Sequence, residues 1–237
     1  MTSLKKNFIY NVVYQMLLII LPLITAPYIA RTLGAEGVGI YSYTYSVAQY
    51  FLLFAMLGIS NHGNRSIAAV REDDCKLSRT FWSIYSIQAF MYVLAIIAYL
   101  IYLFAFNVDN KTIVAIQFIY VVSGALDISW YFFGTEQFKI TVTRNMIIKI
   151  ATVILMFIFV HNPGDLAKYT VIMAGGNFLS QAYLWTYIFR QVDVVKVNWI
   201  DIKKHIKEVI ILFIPVIAYS IYKLMDKIML GNMTTYM

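Results

Sequence analysis

Charge is what this sequence lacks most. Only 13% of its 237 residues are charged while 61% are hydrophobic, and its mean hydropathy is +0.70. A soluble domain carries roughly 25% charged residues, so a water-exposed globule of this size is excluded. Cysteine is nearly missing: Cys75 stands alone, which rules out an internal disulfide. The three histidines, His62, His161 and His205, fall in separate candidate loops without ligand spacing, and no metal or other cofactor is expected. A Gly-rich phosphate loop ending in GK[ST] and a GxSxG nucleophile turn are both absent, and no loop is long enough to house a catalytic domain. An enzyme is not expected.

What is present is apolar sequence in long runs. A membrane-spanning helix needs about 20 largely apolar residues. Four stretches qualify cleanly: 8–30, 40–59, 81–106 and 169–189. Three more qualify if a charge is tolerated: 113–133 with Asp127, 146–160 with Lys149, and 209–230 with Lys223, Asp226 and Lys227. The first run exceeds a signal-peptide core and has no small-x-small cleavage site, so a retained helix is expected. With the N-terminus in the cytoplasm, fourteen basic residues fall on the inner side and three, Arg31, Lys111 and Lys168, on the outer. That bias obeys the positive-inside rule, so the net charge of +7 needs no nucleic acid to explain it. The expected fold is an all-α integral membrane protein in three parts. Residues 1–191 form a six-helix transmembrane lobe. Residues 192–207, with Val195, Trp199, Ile202 and Ile206 at helical spacing, form an amphipathic cytoplasmic linker, though a plain solvated loop explains them equally well. Residues 208–237 begin a seventh helix belonging to a second lobe.

Polar side chains within the spans recur every three to four residues. Asn7, Asn11, Gln15 and Thr25 do so in the first span, Ser42, Tyr45, Ser46 and Gln49 in the second. Gln117, Tyr120, Gly124, Asp127 and Tyr131 form the stripe of the fourth span, and Tyr219, Ser220, Lys223, Asp226 and Lys227 that of the seventh. Lipid cannot satisfy such groups, so these faces should turn inward, as helix-packing contacts or as the wall of a polar cavity. By residue count Asp127 and Lys149 reach a comparable height, which admits a structural ion pair, while Lys223 and Asp226 lie three apart and can neutralise each other. Arg31 ends the first span just after Pro22 and Pro27, which predict a bent helix. It either snorkels to the headgroups or, together with Lys223 and Lys227, makes one end of a cavity cationic and suited to phosphate.

The stretch IILPLITAPYIARTLGAEGVGIYSY resembles the first-to-second helix signature of Wzx-type oligosaccharide flippases, the polysaccharide transporter branch of the MOP superfamily, related to MATE exporters. MLGISNHGNRSIAAVREDDCKLSRTF, SGALDISWYFFGTEQFKITVTRNMIIK and FIPVIAYSIYKLMDKIMLG resemble successive later regions of the same family, in the same order. The resemblance implies two facing lobes that move an undecaprenyl-pyrophosphate-linked oligosaccharide from the inner to the outer leaflet of the cell membrane for O-antigen, capsule or exopolysaccharide assembly. It implies Arg31, Lys223 and Lys227 against the pyrophosphate; Asn11 and Gln15, on the polar stripe of the first span, are further candidates to face the substrate. It also implies Asp127 as an ion-coupling acid, unless Asp127, Lys149 and Asp226 serve as structural pairs. Lipid-linked oligosaccharide and membrane lipid are the expected ligands; a glycan polymerase and a chain-length regulator are candidate partners. Family members continue into a second lobe of similar size, so a missing C-terminal lobe or a second copy is expected to complete the chain. Rival readings are a MATE-type drug or cation exporter and a non-transport scaffold for glycan polymerisation.

Overall fold

The computed structural model describes residues 3–106 and 108–234; side chains are described from residue 15 onward, except 17, 18, 107, 216–228 and 230–234. The protein is an all-α integral membrane protein, with no strand among the described residues. Its helices are α1 (Ser3–Met56), α2 (Ile59–Val70), α3 (Asp74–Ala105), α4 (Lys111–Ala125), α5 (Ser129–Gly134), α6 (Phe138–Phe159), α7 (Leu166–Ile188) and α8 (Trp199–Thr234). A short 3-10 turn (Pro163–Asp165) precedes α7. Among the described residues, Asp74–Ala105, Lys111–Gly134 and Phe138–Phe159 are long and apolar enough to cross a membrane.

The first two expected spans run together as α1, 54 residues long, broken at Gly34 with φ 71° and ψ 175°. Only glycine adopts that combination without strain, because a Cβ would clash with its own backbone. Pro22 and Pro27 lie inside the helix, and the departure from helical dihedrals comes later, at the glycine. Proline removes one donor but its fixed φ is helical, so the positive-φ residue decides where the chain turns.

The second half of α1 packs against α3, α4 and α7, with Ala48, Tyr99, Leu103, Val114 and Val121 as one buried cluster. At one end of the bundle Ile29, Leu33, Met156 and Val160 pack together, and the Tyr28 hydroxyl donates to the Val160 carbonyl at 2.6 Å. At the other end lies the largest core: Ile59, Ile67, Phe81, Ile84, Trp130, Phe132, Leu184 and Val209 draw α2, α3, α5, α7 and α8 together. Close approach there rests on small residues; a Cβ on Gly63 would meet the Trp130 ring at 2.6 Å.

Two expected boundaries move. The fifth span begins at Phe138 instead of Met146, which carries Arg144 into the bundle. The expected linker is no separate surface helix: residues 193–198 are non-helical, and α8 runs from Trp199 without interruption. Ile202 and Ile206 pack on the large core while Trp199 is exposed, so the periodicity of that stretch marks the start of α8.

Candidate functional site

The expected fourth span is interrupted. α4 ends at Ala125, and the Asp127 carboxylate accepts the Ser129 N–H at 3.0 Å, an Asx turn that opens α5. A break inside a bundle frees backbone carbonyls, which need donors where water is excluded. Gln88, fully buried on α3, donates from Nε2 to the Asp127 carbonyl at 2.8 Å and lies 3.4 Å from those of Gly124 and Ala125. Its Oε1 accepts from Trp130 Nε1 at 2.9 Å, and Trp185 Nε1 donates to the Leu126 carbonyl at 3.0 Å. One glutamine and two tryptophans thus close the break.

Above it runs a polar seam shared by α1, α4, α6 and α7. Tyr41 and Tyr120 hydroxyls lie 3.3 Å apart, Tyr41 and Tyr45 stack, and Tyr169 meets Tyr41 edge-on at 4.8 Å. Gln117, fully buried, has Nε2 3.4 Å from Thr44 Oγ1, while its Oε1 has no partner among the described residues. Asn177 donates to Ser123 Oγ at 2.6 Å. Arg144, 5% exposed, donates to the Ser180 carbonyl at 2.8 Å, to Gln181 Oε1 at 3.1 Å and to Asn145 Oδ1 at 2.9 Å. Each of these bonds runs from the buried guanidinium to a carbonyl oxygen, of the backbone or of a side-chain amide.

Of the expected site residues, Arg31, Gln15, Asp127 and Lys149 have side chains among those described. Arg31 is exposed, three residues before the Gly34 break, and makes no ion pair among the described residues. Gln15 is exposed. The side chains of Asn11, Lys223, Asp226 and Lys227 lie outside the described residues, as do those of Tyr219 and Ser220. No ion pair joins Asp127 to Lys149: the Asp127 carboxylate accepts the Ser129 N–H, and Lys149 is exposed on α6. Height along two helices was legible by counting, but the direction in which Lys149 points was set by how α6 packs on α7. Arg144, counted by sequence among the inner-side loop charges, is a buried member of the seam. The signal that could have found it is the spacing of Asn177, Ser180 and Gln181 on α7, a polar face that needs a partner. The histidines also differ from expectation: His62 and His205 are in contact across 143 residues of sequence, with 2.8 Å between His62 Nε2 and His205 Nδ1. No group of three or more His, Cys, Asp or Glu suited to a metal occurs among the described residues.

Ion pairs gather at the bundle ends. Arg71 pairs with Glu136, Lys168 with Asp165 at 2.7 Å, and Lys204 with Asp201 at 3.3 Å. Asp165 also accepts the His161 and Asn162 N–H groups at 2.9 and 3.1 Å. The Lys168 ammonium and these amides hold its pKa down at about 2.

Among the described residues the protein is thus an all-helical bundle with a polar seam inside and its ion pairs near the ends. The chain belongs to the family described as "Polysaccharide biosynthesis protein", which it matches over residues 4–236. It is 26% identical over 237 residues to the "Putative O-antigen transporter" of Escherichia coli (strain K12), an alignment that covers 97% of this chain and 56% of that relative. The chain therefore spans about half the length of the relative it matches. No solved structure matches it.

Proposed function

We propose that this chain supplies one lobe of a flippase that carries undecaprenyl-pyrophosphate-linked oligosaccharide repeat units from the inner to the outer leaflet. The observation that carries this reading is the family match across residues 4–236. The physics of the task supports it. A glycan cannot cross hydrocarbon bare, since each unmatched hydroxyl costs several kcal/mol, on the order of 4–8 against cyclohexane. The seam of Tyr41, Tyr45, Gln117, Tyr120 and Tyr169 offers hydroxyls, amides and ring faces in their place, while the lipid tail stays in the bilayer. Arg31 is unpaired among the described residues, which leaves its guanidinium available to a pyrophosphate, together with Lys223 and Lys227 from α8. The N-terminus is cytoplasmic in this reading. Residues 1–191 make the lobe, and α8 leads into a second one, from a longer chain or another copy. A glycan polymerase and chain-length regulator would receive the product.

The test is leaflet-resolved. Cells lacking the gene, and lacking a redundant transporter, are expected to accumulate lipid-linked glycan facing the cytoplasm while surface polysaccharide falls. Normal surface polysaccharide with no trapped lipid would favour the exporter or scaffold instead. Complementation with Arg31→Ala is expected to restore membrane insertion without export; full export by that variant would remove the pyrophosphate role.

A further inference from the structure

The contact between His62 and His205 joins α2, in the large core, to the first turns of α8. His62 is 2% exposed, and its two ring nitrogens are both engaged: Nδ1 lies 2.9 Å from Glu208 Oε2, and Nε2 lies 2.8 Å from His205 Nδ1 and 3.3 Å from Ser66 Oγ. His205 Nε2 has no partner among the described residues. We propose that His62, His205 and Glu208 form a proton-binding site that governs the docking of α8 on α2. The inference goes beyond the glycan reading and does not depend on it.

Hydrogen-bond rules fix the protons. A carboxylate only accepts, so His62 Nδ1 carries a hydrogen. In the neutral cluster His62 Nε2 is then bare and accepts the Nδ1–H of His205. A first proton enters at the free Nε2 of His205. The hydrogen between the rings can then shift to His62, placing the positive charge beside Glu208 with no movement of heavy atoms. One proton is therefore compatible with docking. A second is not, because both rings would present N–H groups to each other across 2.8 Å. The rings, and with them α2 and α8, must part.

The surroundings bias the same way. Burial lowers the pKa of both histidines, Glu208 opposes the shift at both, and the His62 charge adds to the lowering at His205. On α8, Asp201 favours the charged form of His205 and Lys204 disfavours it, while Lys207 is exposed. From α3, Arg79 reaches Asp201 at 3.9 Å. On α2 itself, Arg65 is exposed, and neither α5 nor the last turn of α1 carries a charged residue. The docked state thus binds protons less readily than the undocked one. Docking holds above the ordinary histidine pKa of about 6.5 and weakens as pH falls below it.

Two readouts on the full chain in lipid nanodiscs test this. Nitrogen-15 histidine spectra give three side chains, with His161, exposed in the α6–α7 turn, as internal reference. His62 and His205 are expected to titrate as a linked pair, and His62→Gln is expected to move the His205 titration upward. Spin labels at Asn61→Cys and Lys203→Cys, in a Cys75→Ser background, then report the α2–α8 distance. A single distance is expected at pH 8 and a longer second population below pH 6. For two protons the detached-to-docked ratio should rise by up to about 100-fold per pH unit, against about 10-fold for one. His62→Gln should stay docked at both pH values, since an amide can donate to Glu208 and accept from His205; His205→Gln serves the same purpose should the first variant fold poorly. An unchanged distance in the parent between pH 8 and 5, or an undiminished pH response in both glutamine variants, overturns the proposal. Neither readout involves a glycan, so a failed flippase reading leaves it standing.

Discussion

At the residue scale, the side chains with the most at stake are those that satisfy backbone in a dry interior. Gln88 makes a strong bond to the Asp127 carbonyl and receives the Trp130 indole. Each buried polar group left unmatched costs about 1–3 kcal/mol. Gln88→Leu is therefore expected to cost about 2–4 kcal/mol, read as a fall in the unfolding midpoint in detergent. Asp127→Asn is a sharper experiment, because asparagine accepts the Ser129 N–H as well as aspartate does and only the charge is lost. Stability within about 0.5 kcal/mol and intact export are expected; lost export from a stable variant would assign Asp127 to ion coupling. Asp165 carries a pH signature. Its folded pKa of about 2 lies below the unfolded value near 3.9, so its contribution is complete above pH 4 and disappears as pH falls through 2. Asp165→Asn should remove that part of the acid-unfolding profile, while its amide oxygen can still accept the His161 and Asn162 N–H groups.

At the element scale, the breaks matter more than the helices. Gly34 turns α1 through a conformation closed to other residues, so Gly34→Ala is expected to cost about 1–3 kcal/mol although no atom crowds the new methyl. A calorimetric scan that shows no loss would mean α1 can run straight there. The α4–α5 break has a different origin. No glycine or proline stands at residues 125–128; side chains from α3 and α7 hold it open by taking up its carbonyls. Sequence patterning predicted one span there because its apolar composition is continuous, and composition does not report where a hydrogen-bond ladder stops.

At the scale of the whole molecule, α8 is the element that packs on the bundle from the far end of the sequence, against α1, α2 and α3. It rests on the end of α1 with nothing to spare: a Cβ on Gly58 would run into the Val209 carbonyl and Leu212. Gly58→Leu is expected to displace α8 while leaving α3–α7 folded, visible as a longer Asn61–Lys203 label distance at pH 8 with unchanged helix content. An unchanged distance would show that α1 and α8 can shift apart without releasing the histidine contact.

The sequence by itself determined that this protein lives in a membrane, that it is helical, and roughly where most helices lie, because the bilayer imposes length and hydropathy on every span. It also carried the family likeness, through four motifs in order. It did not determine which polar groups meet. Arg144 against α7, Gln88 beneath the α4–α5 break, and His62 against His205 are pairings across long separations. Residue counting gives height along a helix, but the rotation of each helix about its axis comes from packing against its neighbours. That is why the Asp127–Lys149 pair that residue counting admits is not formed and a histidine pair that it did not suggest is present: only tertiary structure fixes azimuth, and polar contacts in a bundle depend on azimuth as much as on height.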